Sequence, residues 1–150
     1  MAKCTLCKGR DAIFMRPYSG EKLCGRCFKK SIARKVQATI SKYDMLKPDD
    51  TVAVAVSGGK DSLSLLHILT NIEEHFPEAR LCAVTVDEGI KGYRDEAIKF
   101  AIKDCQKLSV EHEVISFREM YGYGLDELVD LIRSKDEKDL TPCSYCGVLR

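Results

Sequence analysis

The order of apolar and polar positions divides the chain into stretches of different character. Residues 1 to 28 show no sustained period, are punctuated by Gly and Cys, and hold too few large apolar side chains to form a core of their own. From Lys29 to Leu46 the pattern changes. Ile32, Val36, Ile40 and Tyr43 recur at helical spacing while Lys29, Lys30, Arg34, Lys35 and Lys42 take other faces, which predicts an amphipathic basic helix. Lys47-Pro48-Asp49-Asp50 ends it and marks a domain boundary.

Beyond the boundary, strand and helix patterns alternate. Thr51–Val56 (TVAVAV) is a continuous apolar run, expected as a parallel strand buried on both faces. A helix is predicted over Asp61–Phe76 with Leu65, Leu66, Leu69 and Ile72 on its packed side. A strand over Leu81–Val86 follows, then a helix over Arg94–Leu108 with Ile98, Ala101, Ile102 and Cys105 in a stripe. Val110–Phe117 reads as a third strand and Leu125–Arg133 as a shorter helix, before a charged loop (SKDEKD) and a last pair of cysteines. The expected class is α/β: an open parallel, Rossmann-like sheet binding ligands beyond the carboxyl ends of its strands. Three strands are few for such a sheet, and TVAVAV reads as a central one. The sheet is therefore expected to be incomplete, with further strands supplied by sequence downstream of residue 150 or by a partner, a homodimer being one form. The expected organisation is a metal-braced ribbon over 1–28, a basic linking helix over 29–47 and the first part of a nucleotide-binding domain over 48–150.

Composition narrows the class. Hydrophobic residues at 45% and charged residues at 31% suit a globular domain, and no apolar run approaches the roughly 18 residues of a membrane span. The N-terminus lacks the apolar core of a signal peptide, so a cytoplasmic location is expected. Of the eight cysteines, six fall in three CxxC pairs, which points to metal rather than to a disulfide framework. The net charge of +1 conceals an asymmetry: residues 1–47 carry 12 Lys and Arg against 3 Asp and Glu, residues 48–150 carry 12 against 20. The basic block is a candidate surface for a polyanion, nucleic acid first, with a solvated helix face as the alternative.

The spacing Cys4-x2-Cys7, sixteen residues, Cys24-x2-Cys27 fits two knuckles presenting four thiolates to Zn2+, a structural site because four thiolates leave no open position. Ser57-Gly58-Gly59-Lys60-Asp61-Ser62 follows the first strand of the alternating region and opens a helix. Two glycines allow a tight backbone approach, while free amides and the serine hydroxyls offer donors to phosphate. It is not a Walker A loop, since Val54 stands where the first glycine would. Asp61 beside phosphates requires an intervening cation and is assigned to Mg2+. Asp87 closes the second strand of this region, where a nucleotide would contact ribose or adenine; a helix-capping loop acid is the alternative. Cys143 and Cys146 stand at metal-ligand spacing without a second pair. Cys82 and Cys105 read as small core residues, and His67, His75 and His112 form no metal-spaced set. Lys91, Tyr93 and Arg94 are candidates for RNA contact beside the site.

SGGKDS in this context resembles the PP-loop of the ATP pyrophosphatases, which cleave ATP between the α and β phosphates and pass AMP to an acceptor. Taken with Asp87-Glu88-Gly89-Ile90, Gly92-Tyr93-Arg94-Asp95, Met120-Tyr121-Gly122, Asp126-Glu127 and Cys143-Ser144-Tyr145-Cys146-Gly147-Val148, the chain resembles the first half of the TtuA-like and cytosolic wobble-uridine tRNA 2-sulfurtransferases. That resemblance implies adenylation of the uridine C2 oxygen followed by sulfur transfer. ATP and a tRNA would be the substrates, and a ubiquitin-like thiocarboxylated carrier the sulfur source. Ser57, Gly58, Gly59 and Ser62 would cradle phosphate, Lys60 would offset charge, and Asp61 would hold the metal or position the acceptor. Cys143 and Cys146 would be two of three ligands to a 4Fe-4S cluster, the third arising later in the chain. The residues themselves leave open a shared zinc site or a persulfide-carrying thiol pair at Cys143 and Cys146. Two other functions also remain: another adenylating PP-loop enzyme, and a noncatalytic zinc-ribbon module for tRNA.

Overall fold

The computed structural model describes residues 2–75, 78–92, 94–134 and 141–149. The chain forms two compact units, Met1–Lys47 and Pro48–Arg150. In the first, a two-stranded antiparallel hairpin joins β1 (Phe14–Met15) to β2 (Lys22–Leu23), with Phe14 opposite Leu23 and Met15 opposite Lys22. Helix α1 (Gly25–Lys42) follows at once. It starts four residues before the apolar period does, because Cys24 already has the extended backbone of an N-cap, and Cys27 consequently sits in the first turn. It ends four residues before Leu46, near Asp44 in the left-handed region at φ 48°. Ile32, Val36 and Ile40 are half-buried as their spacing suggests. Tyr43 lies past the helix end, exposed, with the Lys42 ammonium 5.0 Å from its ring centre.

The apolar centre of this unit is small: Cys4, Leu23 and Cys24, packed against Cys27 and Phe28, with Phe14 and Phe28 rings 4.6 Å apart. A polar clamp supplements it. Arg16, nearly buried, donates to Glu21 at 2.7 Å and to the Ser31 hydroxyl, which in turn donates to the Phe28 carbonyl at 2.7 Å. The guanidinium fork thus ties the hairpin turn to α1.

The second unit contains a three-stranded parallel sheet of order β3-β4-β5, from β3 (Thr51–Ala55), β4 (Arg80–Asp87) and β5 (Glu111–Ser116). Helix α2 (Lys60–Glu73) crosses from β3 to β4 and α3 (Arg94–Leu108) from β4 to β5. Two right-handed crossovers advancing in one direction place both helices on one face of the sheet, where they contact each other. Leu66 and Leu69 of α2 and Ala101 and Cys105 of α3 are buried there, with Val54, Val56, Ala83 and Thr85 of the sheet. On the other face Thr51, Ala53 and Ala55 are exposed, and β3 is an edge strand among the described residues, so these residues by themselves cover one face of TVAVAV. Phe117 is the first residue of a five-residue helix, α4 (Phe117–Tyr121), capped by the Ser116 hydroxyl accepting from the Glu119 amide at 3.1 Å. Then come α5 (Leu125–Ser134) and α6 (Pro142–Leu149). The final cysteines are therefore helical. Tyr93 and most of the SKDEKD loop lie outside the described residues.

Candidate functional site

In the first unit the sulfur atoms of Cys4, Cys7, Cys24 and Cys27 all lie within 4.8 Å of one another. Cys4 and Cys7 come from a knuckle that turns through Lys8 at φ 57°, whose amide donates to the Cys4 carbonyl at 2.8 Å; Cys24 and Cys27 come from the cap and first turn of α1. Backbone amides of Cys7 and Cys24 donate to the Cys4 sulfur and bring its pKa down to about 6, and amides of Arg10 and Gly9 lower that of Cys7. Cys27, whose thiol donates to the Cys24 sulfur in this crowded set, is pushed up to about 12. Four sulfurs gathered within 4.8 Å, with backbone amides aimed at two of them, suit a divalent metal. The Cys7–Cys24 separation of 3.8 Å equals the edge of a tetrahedron with metal–sulfur bonds of about 2.3 Å, so the donor set fits zinc.

The second site lies beyond the carboxyl ends of the strands. The loop from Ser57 to Gly59 leaves β3 and enters α2 at Gly59, its N-cap, with no side chain capping the first turn. Gly58 has φ +78°, and a Cβ on it would stand 2.2 Å from the Ala97 carbonyl oxygen of α3, so only glycine fits this turn. Within the loop the Ser57 amide donates to the Ser62 hydroxyl at 3.2 Å, the Gly59 amide to the Ser57 hydroxyl at 3.4 Å, and Ser62 back to the Gly59 carbonyl at 3.1 Å. Two serine hydroxyls and a helix start are thus gathered at one exposed corner, with the chemistry of an anion cradle. Lys60 and Asp61 project into solvent and pair at 3.1 Å.

Asp87 ends β4 and accepts from the Gly89 amide at 2.9 Å, forming a tight turn. Gly89 (φ +73°) approaches Gly124 so closely that a Cβ on Gly89 would fall 2.9 Å from the Gly124 Cα. The Leu125 amide donates to the Glu88 carbonyl at 2.7 Å and the Lys91 amide to the Asp126 carboxylate at 2.9 Å. These contacts join the loop after β4 to the start of α5. Arg118 and the Gly124 amide bond the two oxygens of Glu127, the amide first, and hold its carboxyl below the usual range.

Between the β4 loop, α5 and α6 runs a cleft of about 630 Å³, lined by Ile90, Lys91, Leu125, Asp126, Val129, Asp130, Cys143 and Cys146. Three residues apart on α6, the two cysteines share a helix face and both reach this cleft. Tyr121 braces α6 by donating its hydroxyl to the Leu149 carbonyl at 2.9 Å. Two thiols suit an iron–sulfur or zinc ligand pair, but no third thiol, His or carboxylate closes around them among the described residues. Cys105 is buried in α3 and Cys82 half-buried in β4, as small core residues. Asp126 was read only as part of the Asp126-Glu127 motif and Asp130 was not singled out, although their spacing of four places them on one face of α5.

A strand, a glycine turn locked against a neighbouring helix, and an uncapped helix start at the sheet's carboxyl edge define an α/β domain of the PP-loop class. Residues 28–129 match the PP-loop domain family, and the chain belongs to it. It is 38% identical over 142 residues to a probable sulfurtransferase of Methanocaldococcus jannaschii, covering 95% of this chain and 41% of that protein. It is 37% identical over 152 residues to cytoplasmic tRNA 2-thiolation protein 1 of Debaryomyces hansenii, covering 99% and 38%. Among solved structures, the U34-tRNA thiolase NcsA from Methanococcus maripaludis with its 4Fe-4S cluster superposes with a TM-score of 0.82 at 37% identity, covering 100% of this chain and 47% of that one. An NH3-dependent NAD synthetase from Campylobacter jejuni, at TM-score 0.52 and 15% identity, shares the fold alone, over 83% of this chain and 46% of that one. The chain spans less than half the length of the curated relatives it matches.

Proposed function

We propose that this chain forms the ATP-binding portion of a tRNA-uridine 2-sulfurtransferase. The observation that carries the reading is that the PP-loop and the paired thiols of α6 both lie at the carboxyl edge of one sheet, as nucleotide and sulfur chemistry on one uridine require. The likeness to proteins named for tRNA thiolation, over nearly the whole chain, supports it.

Uracil C2 is a poor electrophile because its oxygen cannot leave. In the proposed reaction that oxygen attacks the α-phosphorus of ATP, pyrophosphate departs, and the C2 oxygen is now held as an adenylate. A sulfur nucleophile then adds at C2 and AMP leaves with the oxygen. Amides and hydroxyls of Ser57, Gly58, Gly59 and Ser62 bind phosphate, and Lys60 offsets its growing charge. Asp61, paired with Lys60 at 3.1 Å, would hold Mg2+ or position the acceptor, and Asp87 would face the nucleoside. Cys143 and Cys146 provide two thiolates toward a 4Fe-4S cluster, the remaining ligand coming from outside these residues. When bound, such a cluster supplies an open iron able to act as a Lewis acid on sulfur. The four-cysteine unit holds Zn2+ and presents the basic α1 to tRNA. A ubiquitin-like thiocarboxylated carrier delivers sulfur.

The test is anaerobic purification of the full-length protein, with iron and zinc analysis, calorimetry against Mg-ATP, and mass spectrometry of 2-thiouridine in tRNA. Nucleotide-dependent thiolation lost in Lys60→Ala and Cys143→Ala is expected. No heat with Mg-ATP at millimolar concentration would remove the foundation.

A further inference from the structure

Immediately before the PP-loop, a polar chain crosses an otherwise apolar row of the sheet. The Thr85 hydroxyl, in a residue only 1% exposed, donates to the Val56 carbonyl at 2.7 Å and lies 2.7 Å from Nε2 of His112. A hydroxyl has one hydrogen, and here it goes to Val56. The second contact must then be an Nε2–H of His112 donated to Thr85. Burial holds the His112 pKa below its ordinary value, so the neutral Nε2–H form prevails at neutral pH. The register explains the meeting: His112 pairs with Ala83, two residues before Thr85, so their side chains leave the same face of the sheet.

Val56 stands where β3 gives way to the loop. Its amide still joins the ladder, donating to the Val84 carbonyl at 2.8 Å, while its carbonyl takes the Thr85 side chain. That carbonyl and the Ser57 amide belong to one planar peptide unit and point in opposite directions. Fixing the first therefore fixes the second, which on the other side of the plane meets the Ser62 hydroxyl.

We propose that Thr85 and His112 are positioning residues for nucleotide binding: in series they lock the Val56–Ser57 peptide, whose amide holds the Ser62 hydroxyl, and so set that hydroxyl and the turn of the PP-loop for the bound phosphate. The inference rests on the reading that this loop holds ATP, and it extends that reading to residues one and two strands away that lie outside the loop. It also accounts for a Thr–His pair set beside buried Val54 and Ala83, where apolar side chains would pack as well.

The experiment compares full-length wild type with Thr85→Val, Thr85→Ser, His112→Leu, His112→Gln and, as a stability control, Phe117→Leu, a buried residue of α4. Each is measured by calorimetry with Mg-ATP and by thermal unfolding. Thr85→Val, which keeps the shape but not the donor, is expected to weaken ATP binding about tenfold, with Thr85→Ser recovering to within about threefold of wild type. His112→Leu should weaken it by a smaller factor and His112→Gln, whose amide can still donate to Thr85, by less again. Phe117→Leu should lower Tm while leaving affinity unchanged. Equal affinity of Thr85→Val and wild type overturns the proposal, as does an affinity loss in Phe117→Leu that matches Thr85→Val at equal Tm loss. If Thr85→Val does not fold, parity of His112→Leu and His112→Gln overturns it. Failure of the wild type to bind Mg-ATP is a different outcome, which removes the nucleotide reading and this proposal with it.

Discussion

Gly58→Ala tests whether the loop is held by steric necessity. The native φ of +78° costs an alanine about 1–2 kcal/mol relative to glycine. The added Cβ would also stand 2.2 Å from the Ala97 carbonyl oxygen, where ordinary contact begins at 3.4 Å. Loop or helix α3 must therefore retreat by about 1.2 Å. The obstacle is backbone within a helix, unable to swing aside as a side chain would, so overpacking adds roughly 1–3 kcal/mol. The sum, about 2–5 kcal/mol, is divided between a lower Tm and a displaced phosphate cradle. A displacement on the order of 1 Å is enough to cost about a hundredfold in a positioned reaction. Gly59→Ala is the internal control: its φ is −79°, its Cβ would lie 3.4 Å from the Ser57 hydroxyl, and a poorer N-cap costs about 1 kcal/mol at most. Calorimetry with Mg-ATP and thermal unfolding of both variants should show Gly58→Ala about 4 °C or more less stable and binding weakly or not at all. Gly59→Ala should stay near wild type in stability. Parity of the two variants in both measurements would show the packing argument to be wrong.

Three further outcomes are expected. Chelation of any metal held by the four cysteines, or Cys24→Ser, should abolish amide-exchange protection over residues 2–42 while leaving β3 to β5 protected, because the first unit has little apolar core to stand on; protection that survives in both units would show the thiols to be dispensable. Arg16→Met should destabilise the first unit by about 1–3 kcal/mol by stranding Glu21 and Ser31, read as faster exchange of the β1–β2 hairpin amides. Asp104, which His67 bonds at 2.9 Å across α2 and α3, has its carboxyl pKa lowered first by that bond and then, against burial, by Lys107. A depressed folded pKa contributes stability above the unfolded value of about 3.9 and loses it as pH falls through the folded one. His67→Ala should accordingly shift the Asp104 carbonyl-carbon titration upward and flatten acid unfolding below about pH 4; an unmoved titration would show the pair to be idle.

The alternating strands and helices of the second unit were legible because each carries enough apolar residues to show a period. The PP-loop was legible because its glycines, serines and lysine fall between a strand and a helix. Two-residue strands such as β1 and β2 carry no period at all, so the hairpin was invisible, and α4 is too short to repeat its face. A signal existed for α6: Thr141 before Pro142 is the pattern of a cap followed by proline in the first turn. Burial of TVAVAV on both faces is a property of the whole sheet, and the described residues cover one face only. The Thr85–His112 pair depends on the register of three strands and could be found only with all three in place.

The sheet order β3-β4-β5 follows the chain, and each crossover helix packs between the strands it joins. Each strand pairing among the described residues of this unit is thus made with the next strand along the chain, so its loop-closure entropy stays low. A nascent chain could set the phosphate turn against α3 as soon as residue 108 clears the ribosome. The phosphate turn would then be shaped before the cysteine helix has been translated, and the paired thiols of α6 would arrive on a scaffold already in place.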